Sequence, residues 1–203
     1  MSASIDLLRK RMKSTAYARF FSARRYDSLN NQSLFSLSIA SFTLIFLTLF
    51  QKYSVNHIFD ANNLELIQLI ASITIAILSI VVSFASFSIK SEKMRMSGEE
   101  INELISRLDS ISDLPWDNKA IKKTKKIRDK YEILKAKSLN HKNFEFEFGK
   151  AERKREESNN NPCKDKISLK SRIENRAPHI PFFIISFLSA MLLLISIALY
   201  LNI

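Results

Sequence analysis

Three long stretches of the chain carry no charged side chain and are rich in apolar residues. They cover residues 28–51, 66–89 and 181–203, and each is longer than twenty residues. Roughly twenty apolar residues in an α-helix cross the hydrocarbon core of a bilayer. The pattern therefore predicts an all-α membrane protein with three transmembrane helices and a long helical segment between the second and the third.

Four regions follow from this pattern: a basic amphipathic helix over 1–31, a transmembrane hairpin over 32–89, a charged helical region over 90–178 and a C-terminal transmembrane helix over 179–203. In the N-terminal helix, Ile5, Leu8, Met12 and Ala16 recur at helical spacing opposite an arginine- and lysine-rich face. Such a helix lies either on an anionic lipid surface or against the other charged helices. The sequence leaves both alternatives open.

Within the charged region, the periodicity predicts that the second span continues as one helix that ends at Pro115. A second helix is predicted over 117–139, with a break at Asn140–His141. Phenylalanines alternate with glutamates over 144–148, as in a strand, but the segment 142–157 is short and rich in helix formers, which favours a helix. Residues 158–162 are predicted to form a loop, and 164–176 a final helix.

The positive charges indicate how the chain crosses the membrane. Residues 1–27 contain seven lysines and arginines and residues 90–178 contain 23, whereas residues 52–65 contain one. Because positively charged loops are retained on the cytoplasmic side, residues 1–27 and 90–178 are predicted to be cytoplasmic. The 52–65 loop and the C-terminus are then outside.

Composition argues against catalysis and bound cofactors. The chain has only two glycines, too few for a phosphate-cradling loop. Its one cysteine, Cys163, excludes an intramolecular disulfide and a cysteine-rich zinc site. The three histidines are far apart in the sequence and share no metal-ligand spacing. We therefore expect no enzyme activity, no metal and no cofactor.

A polar stripe follows one face of the second span. Its candidate residues are Gln68, Ser72, Ser79, Ser83 and Ser86, with Ala76 and Lys90 at the same spacing. Small and hydroxyl residues on one face either pack helices together or line a water-filled path in an oligomer, and both alternatives stay open. Ser38, Ser41 and Thr48 of the first span are predicted to pack against the second span, and the third span is predicted to face lipid.

A basic cluster lies in the helix predicted over 117–139. It consists of Lys119, Lys122, Lys123, Lys125, Lys126 and Arg128, with Lys130 beyond it. The cluster is a candidate site for an anionic ligand or for the lipid surface. Direct nucleic-acid binding is not expected, because no aromatic residues that could stack on bases are interleaved with the lysines and acidic residues are interspersed.

Three stretches of this sequence, residues 7–33, 77–108 and 130–146, together resemble the SLATT family. These are prokaryotic two-span effector proteins found beside nucleotide second-messenger synthetases, nucleotide sensors or reverse transcriptases. The first stretch resembles the basic helix that enters the first span. The second resembles the second span with its helical continuation, and the third resembles a tyrosine–leucine helix closed by Asn-His. The resemblance covers about residues 4–150, and the third span extends the two-span core.

The resemblance implies an antiphage effector of the inner membrane. Such a protein would oligomerise and breach the membrane when a genomic partner or a nucleotide signals infection, so that the cell stops growing before phage release. We expect spans one and two to form the channel, with span three at its periphery. The alternative is a membrane-tethered scaffold that recruits a cytoplasmic enzyme. A membrane-bound nucleic-acid binder is the third hypothesis.

Overall fold

A computed structural model describes residues 2–53, 61–112, 117–138, 142–158 and 167–201. These residues form seven α-helices and one short 3₁₀ turn, and no strand is present among them. The helices are α1 (Ser2–Tyr53), α2 (Ala61–Ala85), α3 (Phe87–Ser112), α4 (Asn118–Lys137), α5 (Asn143–Glu157), α6 (Leu169–Arg176) and α7 (Ile180–Leu201), with the turn at Ala177–His179. Three helical stretches are long and apolar enough to cross a membrane. The all-α, three-span prediction is confirmed.

The chain divides into two compact units. The charged unit consists of Met1–Asp27 and Ser88–Arg176, and the membrane unit consists of Ser28–Phe87 and Ala177–Ile203. Several predicted features lie outside the described residues: half of the 52–65 loop, the helix stop at Pro115, the break at Asn140–His141, and most of the loop at 158–162.

The core of the charged unit lies among α1, α3 and α4. The apolar face predicted for the N-terminal helix is buried there, with Met12 fully inaccessible and packed in one cluster with Ile101, Leu108 and Ile127. Polar contacts add to this packing, since Arg9 pairs with Asp109 at 2.6 Å and Thr15 lies 2.8 Å from the Tyr131 hydroxyl. Of the two alternatives for this helix, the structure supports packing against the other charged helices.

α4 and α5 confirm the helices predicted from sequence. Asp117 caps α4 by accepting a hydrogen bond from the backbone N–H of Ala120 at 2.7 Å, which satisfies one of the free donors of the first turn. The segment with alternating phenylalanines is helical, and Glu145 at its third position accepts from the backbone N–H of Lys142 at 2.7 Å. This hydrogen bond from the N-cap backbone to the Glu145 carboxylate is one half of a capping box and helps to fix the start of α5.

α6 begins later than predicted. Residues 167 and 168 are not helical, and the helix starts at Leu169. The Ser168 hydroxyl accepts from the backbone N–H of Ser171 at 3.1 Å, so it acts as the helix cap that the sequence analysis overlooked. The start predicted at residue 164 is outside the described residues.

The prediction of one continuous helix through the second span is wrong at Ser86. There φ is 50°, in the left-handed region, and this residue separates α2 from α3. Ser86 N–H still donates to the carbonyl of Ser83 at 3.2 Å. A residue with a side chain is strained by roughly 1–2 kcal/mol in this conformation. The helical period cannot be carried across the break, so it does not place Lys90 on the same face as Ser83.

Candidate functional site

The first and third spans are joined by hydroxyl groups within the membrane unit. Ser36 Oγ lies 2.8 Å from Ser186 Oγ and 2.8 Å from the carbonyl oxygen of Phe182. About two turns further along α1, the Thr43 hydroxyl, which lies 2.8 Å from the Ile39 carbonyl of its own helix, is 3.4 Å from the carbonyl oxygen of Ser189. In lipid, close contact and hydrogen bonds across helices replace the hydrophobic effect as the force that associates helices. These hydroxyl groups therefore hold α1 to α7.

One prediction about helix packing is corrected. Ser38 and Thr48 are exposed, and the Thr48 hydroxyl donates to the Leu44 carbonyl of its own helix at 2.9 Å. The third span, predicted to face lipid, has 11% of its apolar window buried, and its covered side includes Ser189 and Ser196. α1 carries hydroxyl residues on more than one face, and the sequence spacing does not tell which face meets a neighbour.

The polar stripe of α2 lies mostly on the surface of the single chain. Ser72, Ser79 and Ser83 are exposed, while Gln68 and Ser86 are half-buried. The Ser72 and Ser79 hydroxyls each donate at 2.8 Å to a carbonyl of their own helix. The Gln68 side-chain amide nitrogen is buried and has no hydrogen-bond partner among the residues that the structure describes. The stripe is thus accessible to a further helix or to water, and both alternatives of the sequence analysis stay open.

A close helix contact in the charged unit joins α1 to α5. A Cβ atom at Gly149 would overlap the backbone nitrogen and Cα of Ala18, so only glycine permits this approach. The rings of Phe21 and Phe148 stack beside it, with centroids 4.4 Å apart and planes 8° from parallel. The contact therefore combines a small-residue crossing with an aromatic stack.

A row of acidic residues on α5 pairs with basic residues on α1. Glu145 is bonded to Arg25, and both side chains are almost fully buried, at 1% and 6% exposure. Glu152 accepts two hydrogen bonds from the Arg24 guanidinium, at 2.8 and 3.0 Å, in an exposed pair. The order of the partners shows that the two helices run antiparallel.

The far end of this contact involves Tyr17, whose hydroxyl donates to Glu156. Partial burial and this hydrogen bond raise the pKa of the Tyr17 phenol above its ordinary value. Nearby, Arg19 is fully inaccessible and its Nη1 lies 3.8 Å from the Met94 sulfur. Burial lowers the pKa of the Arg19 guanidinium, because removal from water disfavours the charged form. Charged groups are thus buried along this side of α1, an arrangement that is costly unless it is specifically supported.

The predicted basic cluster is divided by the fold of α4. The buried face of the helix, which includes Thr124 and Ile127, separates two basic sides. On the α3 side, Lys123, Lys126 and Lys130 line a cleft of about 290 Å³. On the α1 side, Lys125 and Arg128 line a cleft of about 420 Å³ together with Asp129. Lys119 and Lys122 are exposed and line neither of these two clefts.

Sequence reasoning missed the α1–α5 contact. In the sequence, Arg25 is one of the seven basic residues of 1–27 that indicate membrane orientation, and Glu145 is part of the alternation over 144–148; neither pattern indicates a contact. One signal was available: Gly149 is a lone glycine in a helix-forming segment, where it costs about 1 kcal/mol relative to alanine unless close packing requires it. The charge partners themselves are about 120 residues apart in the chain and leave no local signal.

Among the described residues, no group of three or more His, Cys, Asp or Glu side chains is placed to hold a metal ion.

Comparison with known proteins gives the chain its family. No curated protein and no solved structure matches the chain. A family model, SMODS and SLOG-associating 2TM effector domain family 5, matches residues 1–195. The match covers nearly the whole chain, including most of the third span, and the chain therefore belongs to this SLATT effector family.

Proposed function

We propose that this protein is a pore-forming effector of the prokaryotic inner membrane, acting in an antiphage system by abortive infection. Copies of the chain oligomerise and permeabilise the membrane when a genomic partner or a nucleotide signal triggers them. The charged unit lies in the cytoplasm and the C-terminus outside. The family is one of effector domains linked to conflict systems, and the chain is a multi-pass membrane protein, which supports the proposal.

The observation that carries the proposal is the exposure of α2. Only 6% of the apolar window of the second span is buried, against 22% for the first. Its exposed face bears Ser72, Ser79 and Ser83. α1 and α7 are paired by hydroxyl groups, although α1 also exposes Ser38 and Thr48. In α2 the exposed serines follow one face of the helix. Polar residues in a span usually face other helices or water rather than lipid, so α2 helices of several copies would meet around a common axis.

Gating requires that the trigger bind the open and closed states with different affinity. The α1–α5 contact is suited to hold one of these states, because α1 runs without interruption from the charged residues into the first span. Loss of the contact would free α5 and the acidic groups that it presents to α1. In this proposal the charged unit controls the pore and α2 forms the permeation path.

The experiment compares two double variants of α2 that add the same side chains. Ser79→Leu with Ser83→Leu fills the stripe, whereas Thr74→Leu with Val81→Leu adds bulk on the opposite face, where both residues are exposed. Each protein is expressed with its neighbouring genes, and membrane potential is followed with a dye during phage infection. We expect depolarisation to be abolished by the stripe variant and retained by the control. Equal depolarisation by both variants would exclude the stripe as the lining.

The scaffold alternative is favoured by one observation, the independent core of the charged unit. A scaffold needs its spans only as an anchor. Replacing residues 28–89 with an unrelated transmembrane hairpin should then preserve protection from phage, provided that the protein still reaches the membrane. A pore loses both protection and depolarisation in the same exchange.

A further inference from the structure

We propose that the cleft between α3 and α4 binds an anion that carries several phosphate groups. Four basic side chains line it, Lys123, Lys126 and Lys130 from α4 and Arg107 from α3. Among the described residues, no acidic side chain lines this cleft. The site goes beyond the pore proposal, and its occupancy can be measured whether or not the protein conducts ions.

The spacing of the lysines indicates more than one phosphate group. Lys123, Lys126 and Lys130 follow steps of three and four and so share one face of α4. At 1.5 Å per residue, the row extends roughly 10 Å along the helix. One phosphate group would meet only part of this row, whereas a chain of phosphates would follow it.

Arg107 faces the row from the other side of the cleft. Its guanidinium pairs with Glu103 one turn away on α3, and both side chains are more than half exposed. Such a surface pair contributes only about 0–1 kcal/mol, so a phosphate can take the place of the carboxylate. Phosphate is also the anion that an arginine fork binds in bidentate fashion.

The apolar part of the cleft is small. It is lined by Leu104, Ile111 and Ile127, but each of these side chains is at most 7% exposed. Within the described part of the chain, no aromatic side chain lines the cleft, so this lining offers a base nothing to stack on. The charge of the ligand, rather than its organic body, therefore supplies most of the affinity. The dissociation constants of inorganic tripolyphosphate and ATP should therefore agree within about threefold. Each missing apolar contact is worth well under the 1.4 kcal/mol that corresponds to a tenfold change in affinity.

Phosphate groups could come from a soluble molecule or from lipid headgroups. The two sources share the same phosphate chemistry, and the lipid composition used in the experiment distinguishes them.

The experiment uses the full chain in nanodiscs, titrated with tripolyphosphate and with ATP by calorimetry. Lys126→Gln with Lys130→Gln removes two cleft charges. Lys119→Gln with Lys122→Gln removes two charges from the same helix outside the cleft. We expect the first pair to weaken binding at least tenfold, because each substitution removes a charge-assisted hydrogen bond to a phosphate group. The second pair should weaken it less than twofold.

Each other outcome has a defined meaning. Equal weakening by both pairs, or no binding of either probe at millimolar concentration in nanodiscs of neutral or anionic lipid, would overturn the site. If the probes bind in neutral lipid but not when cardiolipin replaces it, cardiolipin competes with them. If this competition is absent in the Lys126→Gln, Lys130→Gln variant, the same cleft binds lipid phosphate. A rise in the melting temperature with tripolyphosphate, lost in the cleft pair alone, gives a second readout, because a ligand that binds only the folded state stabilises it.

Discussion

The buried ion pair between Arg25 and Glu145 gives the sharpest test of how α5 is held. The change Glu145→Gln keeps the size of the side chain and its hydrogen bond to the backbone of Lys142, but removes the charge. The Arg25 guanidinium then stays buried without its counter-charge. Breaking a buried pair by removal of one partner costs about 3–5 kcal/mol.

The structure puts the expected loss of stability of the α5 contact at the lower end of this range. Arg25 also lies over the ring of Phe144 at 5.0 Å and beside that of Tyr26 at 5.2 Å. A cation over an aromatic ring gains roughly 0.5–2 kcal/mol, which supports the guanidinium when the carboxylate is gone. We therefore expect α5 to open about a hundredfold more often, the equivalent of about 3 kcal/mol.

Hydrogen–deuterium exchange of the full chain in nanodiscs measures this opening, since amide protection reports local detachment. The matched control is Glu152→Gln, which neutralises an exposed glutamate of the same helix whose partner Arg24 is 62% exposed. That change should cost less than about 1 kcal/mol. The double variant Arg25→Gln with Glu145→Gln should lose less stability of the α5 contact than the two single variants lose in sum, because the two residues are coupled. Equal effects of Glu145→Gln and Glu152→Gln would refute the reasoning, and α5 would then be held by packing alone.

Three further predictions test other contacts. Gly149→Ala should detach α5, because the added Cβ meets the backbone of α1. Gly98→Ala is the control, because its Cβ meets only the edge of a phenylalanine ring that can turn aside. Hydrogen exchange of the α5 amides should rise only in Gly149→Ala. Ser86→Gly should raise the melting temperature by relieving roughly 1 kcal/mol of left-handed strain, and Ser86→Val should lower it. In a Cys163→Ser background, cysteines at positions 36 and 186 should form a disulfide on oxidation, because the hydroxyl oxygens of Ser36 and Ser186 are 2.8 Å apart. Cysteines at positions 38 and 186 should not. The reverse result would contradict the α1–α7 seam.

The helices of this protein were predictable because their signals are local. Charge-free runs predicted the spans, and the period of Ile5, Leu8 and Met12 predicted a buried face. The N-terminal cap of α4 at Asp117 is likewise a short-range interaction. The left-handed turn at Ser86 had no such signal, because serine is neither a glycine nor a helix-breaking proline and the residues on both sides form helices readily.

Partner choice between helices was not predictable. α1 carries serines and threonines on several faces, and only the fold selects Ser36 and Thr43 for contact with α7. The lysines of α4 formed one cluster in sequence, yet Lys123 and Lys125 lie in different clefts because the buried face of the helix runs between the two sides. Such contacts depend on long-range packing, which a single sequence encodes only through weak signals like the lone Gly149.

The α1–α7 seam has a consequence for the order of biosynthesis. Ser36 leaves the ribosome 150 residues before Ser186. At about 5–20 residues per second, this delay is roughly 8–30 s, and the hairpin of the first two spans enters the bilayer well before its third helix exists. During that wait the Ser36 hydroxyl can donate to the Gln32 carbonyl of its own helix, which is 2.7 Å away. The nascent chain thus exposes no unsatisfied hydroxyl donor at this position to lipid, and the late helix completes the seam by a simple exchange of acceptors.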